Sequence, residues 1–98
     1  MPPAYVIVHL DVTDPEGYGK YTAQTPASVA AFGGEFLVRG GRSRDAEGTF
    51  PGSRHVVLRF PDFAAAEAWY DSPGYQELMK LRQANATGAL TIVEGYEP

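Results

Sequence analysis

The chain predicts an α+β domain in which four strands form one mostly antiparallel sheet and helices cover a single face. Three observations point there. Runs rich in β-branched and aromatic residues are separated by helical patterns in the order β-α-β-β-α-β. Each helical segment opens at an aspartate or serine suited to capping, and glycine pairs punctuate the first half of the chain. The length, 98 residues, suits one domain, so all the elements belong to a single unit spanning 1–98.

The first strand is Ala4 to Val12 (AYVIVHLDV). Alternation sends Val6, Val8 and Leu10 to one face and Tyr5, Ile7, His9 and Asp11 to the other. Asp14-Pro15 then supplies a cap and a first-turn proline. Tyr18, Tyr21, Thr25, Val29 and Phe32 recur at helical spacing and form one stripe. Pro26 falls inside that stripe, which predicts a kink or two abutting helical pieces. Gly33-Gly34 stops the helix. Glu35 to Arg39 is a short second strand, and Arg42 to Ser53 reads as a polar loop. Arg54 to Phe60 (RHVVLRF) is the third strand, followed by Asp62 as cap of a helix that starts at Phe63. Ser72-Pro73 breaks that helix and starts another, in which Tyr75, Leu78, Met79 and Arg82 share a face. Gly88 is expected to precede the last strand, Ala89 to Val93. This order is the split β-α-β, or ferredoxin-like, arrangement, with the first and third strands central and the second helix broken near Ser72-Pro73.

Composition narrows the function. Eight basic and twelve acidic residues give 8 − 12 = −4, which argues against nonspecific nucleic-acid binding. A hydrophobic fraction of 44% with 12% aromatics excludes a disordered chain. With no cysteine, thiolate metal sites, disulfides and cysteine nucleophiles are excluded. No apolar run approaches the ~20 residues of a membrane span, and no secretory signal pattern opens the chain, so no membrane role and a cytoplasmic location are expected.

Helices on one face leave the other to be explained. Tyr5 and Ile7 of the first strand and Val57 of the third make that outer face too apolar for free solvation. A second copy of the chain, pairing sheet to sheet as a dimeric αβ barrel, is the simplest cover; a different protein partner is the alternative. Polar groups share the outer face: His9, Asp11, His55 and Arg59, joined by Arg39 if the register of the second strand allows. Drawn as parallel neighbours, the central strands bring His9 to Arg59 and Tyr5 to His55. A mainly apolar surface with a few convergent polar groups is the usual make-up of a small-molecule site.

The segments AWYDSPGYQELMKLR (Ala68 to Arg82), DVTDPEGYGKY (Asp11 to Tyr21) and GGEFLVRGG (Gly33 to Gly41) resemble the DUF1330 family, over nearly the whole chain. The resemblance implies a ferredoxin-like protomer of the dimeric αβ-barrel superfamily and a homodimer. It implies no single activity, since that superfamily includes cofactor-free monooxygenases, muconolactone isomerases, heme-degrading enzymes and chlorite dismutases.

His9 and His55 are the only histidines, and read as a proton-transfer pair or as hydrogen-bonding groups of an interface. Heme ligation by one of them is the weakest option. Neither lies in a metal-ligand spacing, so no metal and no cofactor are expected. Five of the six arginines fall between Arg39 and Arg59. Arg39 and Arg59, being on strands, are candidates to hold an anionic group, with Tyr5 and Asp11 beside them. Arg42, Arg44 and Arg54 read as solvated charges. Trp69 and Tyr75 either wall a pocket or pack the helices on the sheet. Ser72 is a helix cap and not a nucleophile. The resulting expectation is a homodimeric barrel that binds a small organic, anionic molecule between sheet and helices. The alternatives are a cofactor-free monooxygenase- or isomerase-like enzyme with a histidine acid/base, and a noncatalytic dimeric interaction module.

Overall fold

A computed structural model describes residues 1–98. Eight elements follow in order: β1 (Ala4–Val12), α1 (Pro15–Thr22), α2 (Thr25–Ala30), β2 (Glu35–Arg39), β3 (Arg54–Phe60), α3 (Phe63–Asp71), α4 (Pro73–Asn85) and β4 (Ala86–Glu94). The strands form one sheet in the order β2-β3-β1-β4, and every neighbouring pair is antiparallel. The molecule measures 37 × 36 × 17 Å, thick enough for one sheet and one helical layer.

Local chemistry accounts for the helix boundaries. Asp14 accepts from the amides of Glu16 and Gly17, and Asp62 accepts from Ala65 at 2.8 Å. Each carboxylate thereby satisfies amides that have no partner inside the helix. Pro26 starts a new helix instead of bending an old one, because it sits in the first turn of α2, where a missing amide costs nothing. Ser72 caps α4 by accepting from the Tyr75 amide, and its hydroxyl donates to the Trp69 carbonyl at 2.7 Å. One side chain thus ends α3 and begins α4.

Alternation along the central strands sorts inside from outside. Val6, Val8 and Leu10 of β1 and Val56, Leu58 and Phe60 of β3 are buried against the helices. The stripe of Tyr18, Tyr21, Thr25 and Val29 is buried from the opposite side. Trp69 and Tyr75 stack with ring centroids 4.1 Å apart, and Phe60 lies 5.4 Å from Trp69. The indole N–H donates to the Ser28 hydroxyl, tying α3 to α2.

Two sequence expectations change. The central strands are antiparallel, so His9 lies opposite His55, and Tyr5 opposite Arg59. The crossed pairs expected from parallel strands do not form. The last strand begins at Ala86, three residues before its expected start, and Gly88 lies within it opposite Leu10. Glycine is needed there for a steric reason. Its φ is +152°, and a Cβ at this position would run into the His9 carbonyl of the adjacent strand.

Candidate functional site

Between the sheet and the helices lies a cavity of about 30 Å³, walled mainly by apolar side chains of β1, β3, α1 and α2. That is room for about two or three water molecules. Val8, Leu10, Val56 and Leu58 form its sheet wall, and Tyr21, Val29 and Trp69 its helical wall. Tyr18, Thr22, Arg39 and Arg54 line both the cavity and the open depression outside it, so these four form the mouth.

The mouth is cationic. Arg39 donates from Nη2 to the Thr22 carbonyl at 2.8 Å, with its guanidinium 4.6 Å from the Phe36 ring centre. Arg54 lies 5.3 Å from the Tyr18 ring centre, and its buried Nε has no hydrogen-bond partner. Neither arginine forms a salt bridge; the two in the molecule are Arg59–Glu35 and Lys80–Glu77.

Arg39 reaches this side of the sheet through an irregularity in β2. Phe36 pairs with Leu58 and Val38 with Val57, so Leu37 is an extra residue on its strand. Simple alternation from Phe36 would send Arg39 to the outer face. The bulge reverses that parity and sets Arg39 opposite Val56, on the helical side.

Behind the cavity wall is a buried polar group. The Tyr21 and Tyr75 hydroxyls are 2.7 Å apart, and both rings are buried. Burial is the main cause that raises both phenol pKa values above the ordinary tyrosine value of 10.0. The Tyr75 charge and hydrogen bond push Tyr21 up further, while Arg82 pulls both tyrosines the other way. Both phenols therefore stay protonated at neutral pH. Two hydroxyls sharing one hydrogen bond hold a second O–H that can donate elsewhere. Arg82 itself is 7% exposed, has no salt bridge, and its Nε has no hydrogen-bond partner. A buried guanidinium without a carboxylate is a costly arrangement to keep.

The outer face carries the other candidates. His9 and His55 approach with Nδ1 to Nδ1 at 3.2 Å. Phe50, from the loop between β2 and β3, sets its ring 4.6 Å from His9 and 5.4 Å from His55. Asp11 accepts from the Ser53 amide at 3.0 Å and so holds the end of that loop. Arg59 makes an exposed 3.7 Å ion pair with Glu35, and Tyr5 lies opposite it on β1. Of the residues expected to share one site, then, Arg39 and Trp69 line the cavity and Tyr75 stands behind it. Tyr5, His9, Asp11, His55 and Arg59 lie on the far side of the sheet.

A family model described as a domain of unknown function, DUF1330, matches residues 3–96. The chain belongs to the DUF1330 family. Among solved structures, a protein of unknown function from Rhodopseudomonas palustris superposes with a TM-score of 0.78 at 19% identity, covering 99% of this chain and 85% of that one. SnoaB, a cofactor-independent oxygenase from Streptomyces nogalater, gives 0.63 at 16% identity over 100% and 97% of the two chains. A Mycobacterium tuberculosis protein gives 0.54 at 21% identity over 98% and 97%. These likenesses establish the fold of the DUF1330 chain, which is ferredoxin-like. None of the curated proteins matches the sequence.

Tyr18, Tyr21 and Arg54 line the cavity, and Arg82 acts on the tyrosine pair behind it, although the sequence did not single them out for a site. Arg82 carried a readable signal, a guanidinium on the apolar stripe of Tyr75, Leu78 and Met79. Arg54 carried one as well: it opens the third strand in phase with Val56, Leu58 and Phe60, which face the helices.

Proposed function

We propose that this DUF1330 protein binds a small, mainly apolar organic anion between its sheet and its helices. The observation that carries the reading is the buried, unpartnered Nε of Arg54 at the mouth of an apolar cavity whose lining offers it no carboxylate. A native protein keeps such groups unpaired at a cost, and an anionic ligand removes it. The anionic end meets Arg39 and Arg54 at the mouth, and the apolar body enters between Val8, Phe36, Leu58 and Trp69. At about 30 Å³ the empty cavity is smaller than an organic ligand, so binding requires Arg39 to leave the Thr22 carbonyl and the mouth to widen.

A thermal-shift series tests this. Aromatic carboxylates are expected to raise the melting temperature, while the corresponding neutral amides do not. Arg39→Met and Arg54→Met should each abolish the rise. Equal shifts from acids and amides, or none from either, would refute the reading.

A second reading, oxygenation or proton transfer without a cofactor, draws support from the activity named for SnoaB and from the buried Tyr21–Tyr75 pair. In such an enzyme the tyrosines, on the cavity side, donate the proton. His9 and His55 would serve only a ligand held on the outer face.

The partner we propose for that outer face is a second copy of the chain. Val38 and Val93 are more than 40% exposed there, beside the partly covered Tyr5, Ile7 and Val57. Equilibrium sedimentation is expected to give a dimer at micromolar concentration; a monomer would remove the dimeric barrel and leave the cavity reading untouched.

A further inference from the structure

The geometry points to His9 and His55 as a two-imidazole chelate for a divalent transition-metal ion of the zinc, nickel or copper type. This is independent of the cavity and lies on the other face of the sheet. The two side chains come from directly paired positions of adjacent antiparallel strands, with Nδ1 to Nδ1 at 3.2 Å. Two imidazole nitrogens bound to one tetrahedral ion at about 2.0–2.1 Å stand roughly 3.3–3.4 Å apart. The unliganded pair is therefore within about 0.2 Å of the bite that such an ion requires.

The rings are held where they are. Their planes cross at 77°, and Phe50 packs edge-on against both, at 88° to His9 and 80° to His55. Gly88 lets β4 approach β1 closely beside His9, where a Cβ would run into the His9 carbonyl. The backbone and Phe50 thus pre-set most of the geometry, leaving only a rotation about the terminal side-chain bond, a broad and soft torsion. Pre-ordering of this kind lets two weak ligands act together, since the second binds at high effective concentration once the first is on.

Without metal, one ring donates its Nδ1–H to the other Nδ1. Metal binding needs both Nδ1 lone pairs, so the donating ring carries its hydrogen on Nε2 instead, and no net proton is lost from a neutral pair. Imidazole suits zinc, nickel and copper, and excludes magnesium and calcium. An open depression lined by Arg44, Asp45, Glu47 and Phe50 gives access to His55, with two carboxylates against one guanidinium around it. Spacing along the chain does not reveal this chelate, because its ligands are 46 residues apart and meet only through strand pairing.

The test uses the tag-free full chain, in which these are the only two histidines. Calorimetric titration with zinc chloride is expected to give one ion per chain at micromolar affinity, and His9→Gln or His55→Gln should weaken it at least ~30-fold. Each variant's circular dichroism checks its fold. The wild-type protein supplies a readout that needs no variant: added copper(II) should show electron paramagnetic resonance splitting from two imidazole nitrogens. Zinc binding unchanged in both variants, or a copper spectrum without imidazole nitrogen, would overturn the assignment.

Discussion

The face of the sheet under the helices and the face away from them are made by neighbouring residues of the same strands, yet they are finished by opposite means. On the inner face, Val6, Val8, Leu58 and Phe60 share one buried core with Trp69 and Tyr75 around a small cavity, and the cations Arg54 and Arg82 lack carboxylates. On the outer face the side chains are half-covered, the one ion pair is loose and exposed, and the histidines find each other. The inner face spends stability on holding charge where water is scarce; the outer face leaves its polar groups satisfied and its apolar ones only partly covered. The first arrangement suits a ligand within one chain, the second a surface to be covered.

Substitutions separate the two faces by size of effect. The largest belongs to Trp69. It is 1% exposed and stacked between Phe60 and Tyr75, so Trp69→Ala should cost about 3–5 kcal/mol in denaturant unfolding. A cost under about 1 kcal/mol would mean that the inner face is not the core.

An intermediate effect belongs to the tyrosine pair, and pH sharpens it. The folded state holds Tyr21 and Tyr75 protonated, while an unfolded chain ionises its tyrosines near the ordinary value of 10.0. Above that pH the folded state binds more protons than the unfolded one. Stability is therefore fully present below about pH 10 and should fall as pH rises, by up to about 1.4 kcal/mol per pH unit for each phenol. Tyr21→Phe removes one of these slopes and, by leaving the Tyr75 hydroxyl without its partner, costs about 1–2 kcal/mol at neutral pH. Unfolding curves at pH 8, 10 and 11 read both quantities.

The smallest effect is expected outside. Arg59→Ala breaks only the exposed 3.7 Å pair with Glu35 and should change stability by less than about 0.5 kcal/mol. A larger loss that grows with protein concentration would instead place Arg59 in a subunit contact.

Most of the fold was legible because its signals are local. Asp14-Pro15, Asp62 and Ser72-Pro73 mark helix starts through bonds that span three residues or fewer, and alternation in β1 names its two faces. The site was less legible because it depends on contacts between distant parts of the chain. Tyr21 and Tyr75 are 54 positions apart, and the pairing of His9 with His55 follows from strand direction, which no single strand encodes. Arg54 differs from Arg42 and Arg44 only in standing on a strand opposite Leu10. Gly88, read locally, signals a strand boundary; its role inside β4 emerges only with the β1 backbone beside it.

The extra residue in β2 bears on how this site should be sought in other chains. Leu37 has no counterpart on β3, so a relative one residue shorter at that point keeps its arginine opposite Val56 and turned toward the helices. A relative of equal length whose β2 runs without the bulge aligns letter for letter and presents that arginine on the other side. Along this strand, a gap preserves the chemistry and an ungapped match can lose it. Correspondence in β2 therefore has to be drawn by facing partner across the ladder, not by position along the chain.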